Sequence, residues 1–463
     1  MSDPVTDPAS IPETVDKVRH AFESGRTRSL EWRRRQLDGL LSILDEAAEE
    51  LVGALDRDMG KPHPEAHFTD IGTTATDIKH LRKHVGSWMK PRQAKMRLRD
   101  RPGKGWILPE PLGVSLIIAP WNYPVQLTLG PLAVALAAGN AAVVKPSELV
   151  PETSAILARL LREYLDPDAV AVVEGGPEVS TALLEQRFDH IFFTGSTTVG
   201  RIVAQAAAKH LTPTLLELSG KSPVIVGPDV NLDITAKRLA WGKSLNAGQT
   251  CIAPDYVLVD RRNKDALVER LVQAIHEFYG PDPSTSADLA QIVNDRHVER
   301  ITKLLADHGG TVACGGAVNP ATRKLAPTVI VDPDPDSSLM QEEIFGPILP
   351  VLAVDDVDEA IAFVNRRPKP LALYVFTDDD AVAEHVTDRT SSGGVCVNHV
   401  MFHIGPPELP FGGVGDSGHG RYHGQAGFDA LSNLKPIYVR PVRPDLSLIY
   451  PPYTKLKVKL LTR

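Results

Sequence analysis

From Leu112 onward the chain alternates short apolar runs with amphipathic segments, and this alternation restricts its fold more than any other feature. LGVSLIIAP, AAVVKPS, AVAVVEG, DHIFFTG and TPTLLELSG read as strands, with ETSAILARLLREYL and VGRIVAQAAAKH as helices between them. Strands that are apolar on both faces and separated by helices build a parallel, doubly wound α/β sheet. Such sheets bind ligands beyond the carboxyl ends of their strands. The chain's unusual residues fall at those strand ends.

A second series begins after Ser222, with a helix through DITAKRLAWGKSLNAGQ, a strand near DYVLVD, a helix at NKDALVERLVQAIHEFY and further alternation to about Val397. Ahead of both series, Val18, Phe22, Leu30, Trp32, Leu37, Leu40, Leu41 and Leu44 recur at helical spacing. The reading divides the chain into a helical layer over 1–95, a ribbon over 96–111, a cofactor unit over 112–218, a catalytic unit over 219–397 and a returning arm over 398–463. MRLRDRPGKGWILPEP predicts the ribbon as two strands around a Pro-Gly turn, and PIYVRPV and TKLKVKLL predict strands in the tail. No fixed-period repeat is present.

Composition narrows the function. The 463 residues are 43% hydrophobic and 23% charged, which excludes a disordered chain. The net charge of −8 argues against the broad positive face that nucleic-acid binding needs. Three scattered cysteines, Cys251, Cys314 and Cys396, cannot frame a disulfide scaffold and suit a reducing compartment, so the cytoplasm is expected. The polar start MSDPVTDPAS lacks a secretory pattern. The apolar stretch 125–144 is broken by Gln126, Thr128, Gly130, Pro131, Gly139 and Asn140, and reads as a buried helix followed by a strand rather than a membrane span.

Three residues could carry chemistry. Cys251 stands in SLNAGQTCIAPDY, where Gly248 frees the backbone and small Ala247 and Thr250 leave room at the thiol. Taken alone, a cysteine is more often a small buried hydrophobe. Glu217 ends the apolar run LLELSGKSP, the place of a strand-end base or, equally, of a turn acid. Asn122 sits between Pro120 and Pro124, where its amide could serve an oxyanion or cap the local backbone. Together they offer a nucleophile, a base and an oxyanion donor.

APWNYP, KPSE, FFTGSTTVG, LELSGKSP, NAGQTCIAPDY, EEIFGP and LPFGGVGDSGHGRYHG follow one another in the order found in the aldehyde dehydrogenase superfamily, and the chain resembles its class 3 branch. The resemblance implies two doubly wound α/β domains with a small oligomerisation arm. It implies NAD-dependent oxidation of aldehydes to carboxylic acids, with medium-chain aliphatic or aromatic aldehydes as substrates, NADP as an alternative cofactor, no metal, and a homodimer.

By that resemblance Cys251 is the nucleophile, Glu217 the base, and Asn122 the oxyanion donor together with the Cys251 backbone N–H. Lys145 and Glu148 fall at the adenosine ribose, where Glu148 would repel a 2′-phosphate. Gly195, Ser196 and Gly200 fall at the pyrophosphate turn, Glu343 at the nicotinamide ribose and Phe345 beside the nicotinamide. Trp121 on the cofactor side, and Tyr123, Trp241 and Phe411 around the substrate, are candidates for an aromatic funnel, although aromatics are otherwise most often core. Asn398 is assigned to bracing the loops. Ser219 departs from the family's usual glycine, a change the turn tolerates if Ser219 keeps ordinary backbone angles. Cys396 is either a second oxidation-sensitive thiol or a buried structural one.

Other classes remain. The same thiol could serve an esterase or a coenzyme A acylating enzyme, and a noncatalytic binding protein could keep the fold. Histidines stand four apart at His63 and His67, His80 and His84, His399 and His403, and His419 and His423, but none lies in H-E-x-x-H. Pro64 interrupts the first pair and Gly-Pro loops hold the last two, which disfavours a metallohydrolase. Lys455, Lys457, Lys459 and Arg463 lie among apolar residues in a tail read as an intersubunit strand too short to span a membrane.

Overall fold

The computed structural model describes residues 6–445 and 447–461, with only the backbone of Arg99. Val114–Ile118, Ala141–Lys145 and His190–Thr194 are buried along their whole lengths, as strands covered by helices on both faces must be. They form a six-stranded sheet in the order Gly418–His419, Thr214–Glu217, His190–Thr194, Val114–Ile118, Ala141–Lys145, Val170–Val172. All pairings are parallel except that of the short Gly418–His419 strand.

The chain adds two strands on one side of Val114–Ile118, then crosses and adds His190–Thr194 and Thr214–Glu217 on the other. Loops leaving Val114–Ile118 and His190–Thr194 therefore diverge to opposite faces, and a crevice opens between the two strand ends.

The second, seven-stranded sheet runs Thr311–Cys314, Thr328–Val331, Ile348–Val354, Tyr256–Asp260, Pro223–Val226, Ala372–Phe376, Gly394–Val397, with only the first pairing antiparallel. Helix Ile11–Glu23 lies on the first sheet, while Leu30–Glu46 and Ala48–Met59 pack on the helices behind it. Val18, Trp32, Leu37, Leu40 and Leu44 are buried as their spacing predicted. The stretch after Val125 forms the buried helix Gln126–Ala138 and the strand Ala141–Lys145. Among the described residues no helix is long and apolar enough to cross a membrane.

Two expectations need correction. The ribbon does not close on itself, because Leu98–Asp100 coils into a 3-10 turn. Lys104–Pro111 instead pairs antiparallel with Ser432–Val439 along its whole length, and Arg92–Gln93 adds a short third strand. The tail segment Lys455–Leu461 is a helix rather than a strand. Among the described residues no strand pairs with it, and a helix satisfies its backbone groups internally where a lone strand would not. Arg463 lies outside the described residues.

Candidate active site

Cys251 follows a turn that few sequences could adopt. Asn246, Ala247 and Gly248 all have left-handed backbone angles, with φ of 52°, 52° and 71°. Two of these are not glycine, a strain of about 1–3 kcal/mol each that surrounding bonds must hold. The backbone N–H of Asn246 donates to Glu65 Oε1 at 2.7 Å, and its Nδ2 donates to the carbonyls of Asn122 at 2.8 Å and Gln249 at 3.1 Å. Gln249 Nε2 donates to the carbonyls of Asn246 and Gln291, while its Oε1 accepts from Val293 N–H. At Gly248 any side chain would collide with the Gly346 carbonyl, since a Cβ would stand 2.3 Å from that oxygen.

The turn delivers Cys251 to the wall of a cavity of about 460 Å³. Glu217, at the end of Thr214–Glu217 in the other sheet, faces the same cavity, as do Tyr123, Trp241 and Phe411. Tyr123 is held by a 2.6 Å hydrogen bond between its hydroxyl and Thr250 Oγ1. Asn122 is buried just behind, where its Nδ2 donates to the Gln249 carbonyl at 3.1 Å. Trp121 packs away from the cavity wall, edge to face with Phe345 at 5.3 Å between ring centroids.

Glu217 is 3% exposed, and neither carboxylate oxygen has a hydrogen-bond partner among the described residues. Burial raises its pKa to about 8, opposed by the charge of Arg421. Burial, followed by the negative charges of Glu343 and Glu217, pushes the Cys251 thiol well up. The backbone N–H groups of Cys251 and Ile252 oppose that rise by hydrogen bonding to the sulfur. Glu343 is raised to about 8, first by burial and then by Asp255, while hydrogen bonds from Ser219 and the Gly220 N–H pull it down. Ser219 avoids the left-handed region, so the turn that usually carries glycine keeps ordinary angles here.

Of the residues assigned to a dinucleotide, Lys145 and Gly195 end or follow strands of the first sheet, whereas Glu343 and Phe345 lie on the loop ahead of Ile348–Val354 in the second. Lys145 Nζ, at the end of its strand, donates to Glu148 Oε2 at 2.9 Å. Ser196 caps helix Thr197–Ala208 by accepting from Val199 N–H. Gly200 lies against Leu218, whose side chain a Cβ would meet at 2.4 Å. Asn398 braces a neighbouring loop, bonding both backbone groups of Thr377 at 2.9 and 2.8 Å.

The sequence reading missed one wall of the cavity. Phe68, Thr69, Thr73, Met401, Phe402 and Tyr422 contribute to it, and only the half-exposed Phe68 carried a signal, as an apolar residue in a polar stretch. It also missed Lys61, wholly buried, with its Nζ 2.8 Å from Asp70 Oδ2 and 4.1 Å from the centre of the Tyr123 ring. Pro64 does not separate His63 from His67. It occupies the first turn of a short helix, where proline is tolerated, and both rings reach Glu49.

Two largely parallel sheets with a thiol and a buried carboxyl group on one apolar cavity fit an α/β enzyme. The aldehyde dehydrogenase family model matches residues 3–437. The chain is 46% identical to rat aldehyde dehydrogenase family 3 member A2 over 446 residues, 96% of this chain and 92% of that one. It is 44% identical to the canine aldehyde dehydrogenase described as dimeric and NADP-preferring, over 96% and 98% of the two chains. The substrate-bound structure of Staphylococcus aureus AldH superposes with a TM-score of 0.94 at 42% identity, covering 98% of each chain. The chain belongs to the aldehyde dehydrogenase family and is an NAD(P)-dependent oxidoreductase acting on aldehydes.

Proposed function

We propose that Cys251 attacks the aldehyde carbonyl and that Glu217 delivers the water that completes oxidation to the carboxylic acid. One observation carries this reading: Cys251, on the turn ahead of Tyr256–Asp260, and Glu217, at the end of Thr214–Glu217 in the other sheet, reach one apolar cavity, and both Glu217 oxygens are unpartnered among the described residues. A buried carboxyl without a partner costs stability and is suited to a task such as proton transfer.

The Cys251 thiol first gives its proton to a solvent water, and the thiolate sulfur then adds to the carbonyl carbon. The developing alkoxide is held by the Cys251 backbone N–H and by the Asn122 N–H not committed to Gln249. When bound, NAD(P) supplies the acceptor for the hydride that leaves the adduct carbon. The resulting acyl group is a thioester on Cys251. Glu217, once deprotonated, takes a proton from water, the hydroxide adds to the acyl carbon, and the C–S bond breaks.

The Lys145–Glu148 pair, the cap at Ser196 and the close approach at Gly200 suit the adenosine and pyrophosphate of a dinucleotide at the first sheet's crevice. Val199 and Ile202 leave an exposed apolar face on the same helix, suited to a flat base. Glu343 and Phe345 are assigned to the nicotinamide end, with Trp121 against Phe345. Glu148 opposes a 2′-phosphate, so NAD is the preferred cofactor and NADP the weaker one. On this reading residues 112–218 form the cofactor domain with the helical layer 1–95, 219–397 the catalytic domain, and 398–463 return to the cofactor domain before completing the arm with the ribbon. The apolar lining of Tyr123, Trp241 and Phe411 favours medium-chain aliphatic or aromatic aldehydes.

The ribbon between Lys104–Pro111 and Ser432–Val439 is the proposed dimer arm, supported by the dimeric description of the canine relative. Three free cysteines suit the reducing cytoplasm as the site of action. The test is mass spectrometry of intact protein after mixing with NAD and an aldehyde such as hexanal. Glu217→Gln should trap the acyl group as added mass, and Cys251→Ala should carry none and reduce no cofactor. Turnover by Cys251→Ala would end this proposal.

A further inference from the structure

We infer that Glu49, His63 and His67 form a surface site for a divalent cation of the zinc class, separate from the aldehyde site. His63 and His67 stand four residues apart, so a helical backbone sets their rings on one side, with centroids 4.9 Å apart. Glu49, on helix Ala48–Met59, offers one carboxylate oxygen to each ring, at 2.9 Å from His63 Nε2 and 3.0 Å from His67 Nε2. All these ligand atoms lie within 4.8 Å of one another. A tetrahedral zinc with bonds of about 2.0–2.2 Å holds its ligand atoms about 3.3 Å apart, so the three groups can close on a cation through small side-chain rotations. Among the described residues no other group of three such side chains converges in this way.

Two imidazoles and one carboxylate select a borderline transition metal over magnesium or calcium, which prefer all-oxygen shells. All three side chains are solvent-accessible, so water can fill the fourth position. The site also spans two elements. His67 opens the π-helical turn His67–Gly72, whose next residues Phe68, Thr69 and Gly72 line the aldehyde cavity. A cation bound here ties helix Ala48–Met59 to that cavity wall. None of the three residues faces the cavity or takes part in the proposed chemistry.

The test is calorimetric titration of zinc chloride into the full chain carrying Cys251→Ala, which removes the active-site thiol as a competing ligand. One zinc per chain should bind, and adding His67→Ala or Glu49→Gln should weaken binding by about tenfold or more. Zinc should also slow backbone hydrogen exchange in residues 67–76 of the Cys251→Ala protein and raise its Tm, with neither effect after His67→Ala. Melting curves without zinc establish that each variant is folded. Absence of binding, or binding unchanged by His67→Ala, overturns the site. Binding that leaves exchange in 67–76 unaltered overturns the bracing of the cavity wall.

Discussion

Asn122 Nδ2 donates to the backbone carbonyl of Gln249 at 3.1 Å, two residues ahead of Cys251. The carbonyl of Asn122 accepts in turn from Asn246 Nδ2 and from Lys61 Nζ. Asn122 thus fastens the loop after Val114–Ile118 to the strained turn that carries the thiol ahead of Tyr256–Asp260. A carboxamide has two N–H bonds, and the one not used on Gln249 remains for a developing alkoxide.

Replacing Asn122 by Ala should therefore act twice. The loss of one oxyanion donor is expected to lower kcat by about 10²–10³-fold. The loss of the tie to Gln249 should also lower Tm and loosen the turn over 245–250, which hydrogen exchange would detect. Steady-state rates equal to wild type would remove Asn122 from the oxyanion site.

Glu217→Gln should stop turnover after one cofactor is reduced per chain, because the thioester forms but water is not activated. Rapid mixing with absorbance detection would show a stoichiometric burst followed by a flat line. The same substitution should stabilise the protein. A carboxyl whose folded pKa is raised from 4.5 to about 8 binds its proton more tightly folded than unfolded. Wild-type stability therefore falls as pH climbs between those two values, and is unaffected by this group below the lower one. The neutral amide of Glu217→Gln carries no such penalty, and the variant should gain up to about 3 kcal/mol at pH 7 and nothing at pH 4. Denaturant titrations at the two pH values decide it.

The pH dependence of turnover follows from the same group. Where hydrolysis of the thioester limits the rate, kcat should rise with pH as Glu217 loses its proton near 8. Arg421 holds that value down by its charge. Arg421→Met should then move the rising limb to more alkaline pH, measured as kcat between pH 6 and 10. An unmoved limb would exclude Glu217 as the titrating base.

Much of this was legible from the sequence because the code was local. Runs such as VSLII and HIFFT could only be strands buried on both faces, and their loops held the residues at the strand ends. Cys251, Glu217, Tyr123, Trp241 and Phe411, far apart in the chain, line one cavity. What the sequence hid was long-range pairing. Nothing near Lys104 announces that its strand partner is Ser432–Val439, since a ribbon's register depends on a segment more than 300 residues away. The Lys/apolar alternation of KLKVKLL has strand periodicity, yet with no strand pairing to it among the described residues it forms a helix. Lys61 stood in a polar stretch, where a lysine reads as solvated, and only the fold supplies Asp70 and the Tyr123 ring around it.

That buried pair gives a test of how the cavity is held. Lys61 and Asp70 are both fully buried and joined at 2.8 Å, and Lys61 also reaches the Asn122 carbonyl at 3.3 Å. Lys61→Met leaves Asp70 as an uncompensated charge in the interior, a loss of about 3–5 kcal/mol. Among the described residues Asp70 keeps only weak neutral donors, Thr69 Oγ1 at 3.3 Å and Gln126 N–H at 3.4 Å, so it has little else to offset the missing ammonium. The double variant Lys61→Met/Asp70→Leu removes both charges and should recover most of that stability. Recovery of stability need not restore the rate. Without the ammonium over the Tyr123 ring and on the Asn122 backbone carbonyl, the Tyr123 ring and the Asn122 backbone lose a restraint, and kcat should remain below wild type in the stable double variant. Denaturant unfolding and kinetics of the three proteins separate the two effects. Full recovery of both would mean that Lys61 serves only to neutralise Asp70, while a double variant no more stable than Lys61→Met would show that the packing around Tyr123 depends on the pair itself.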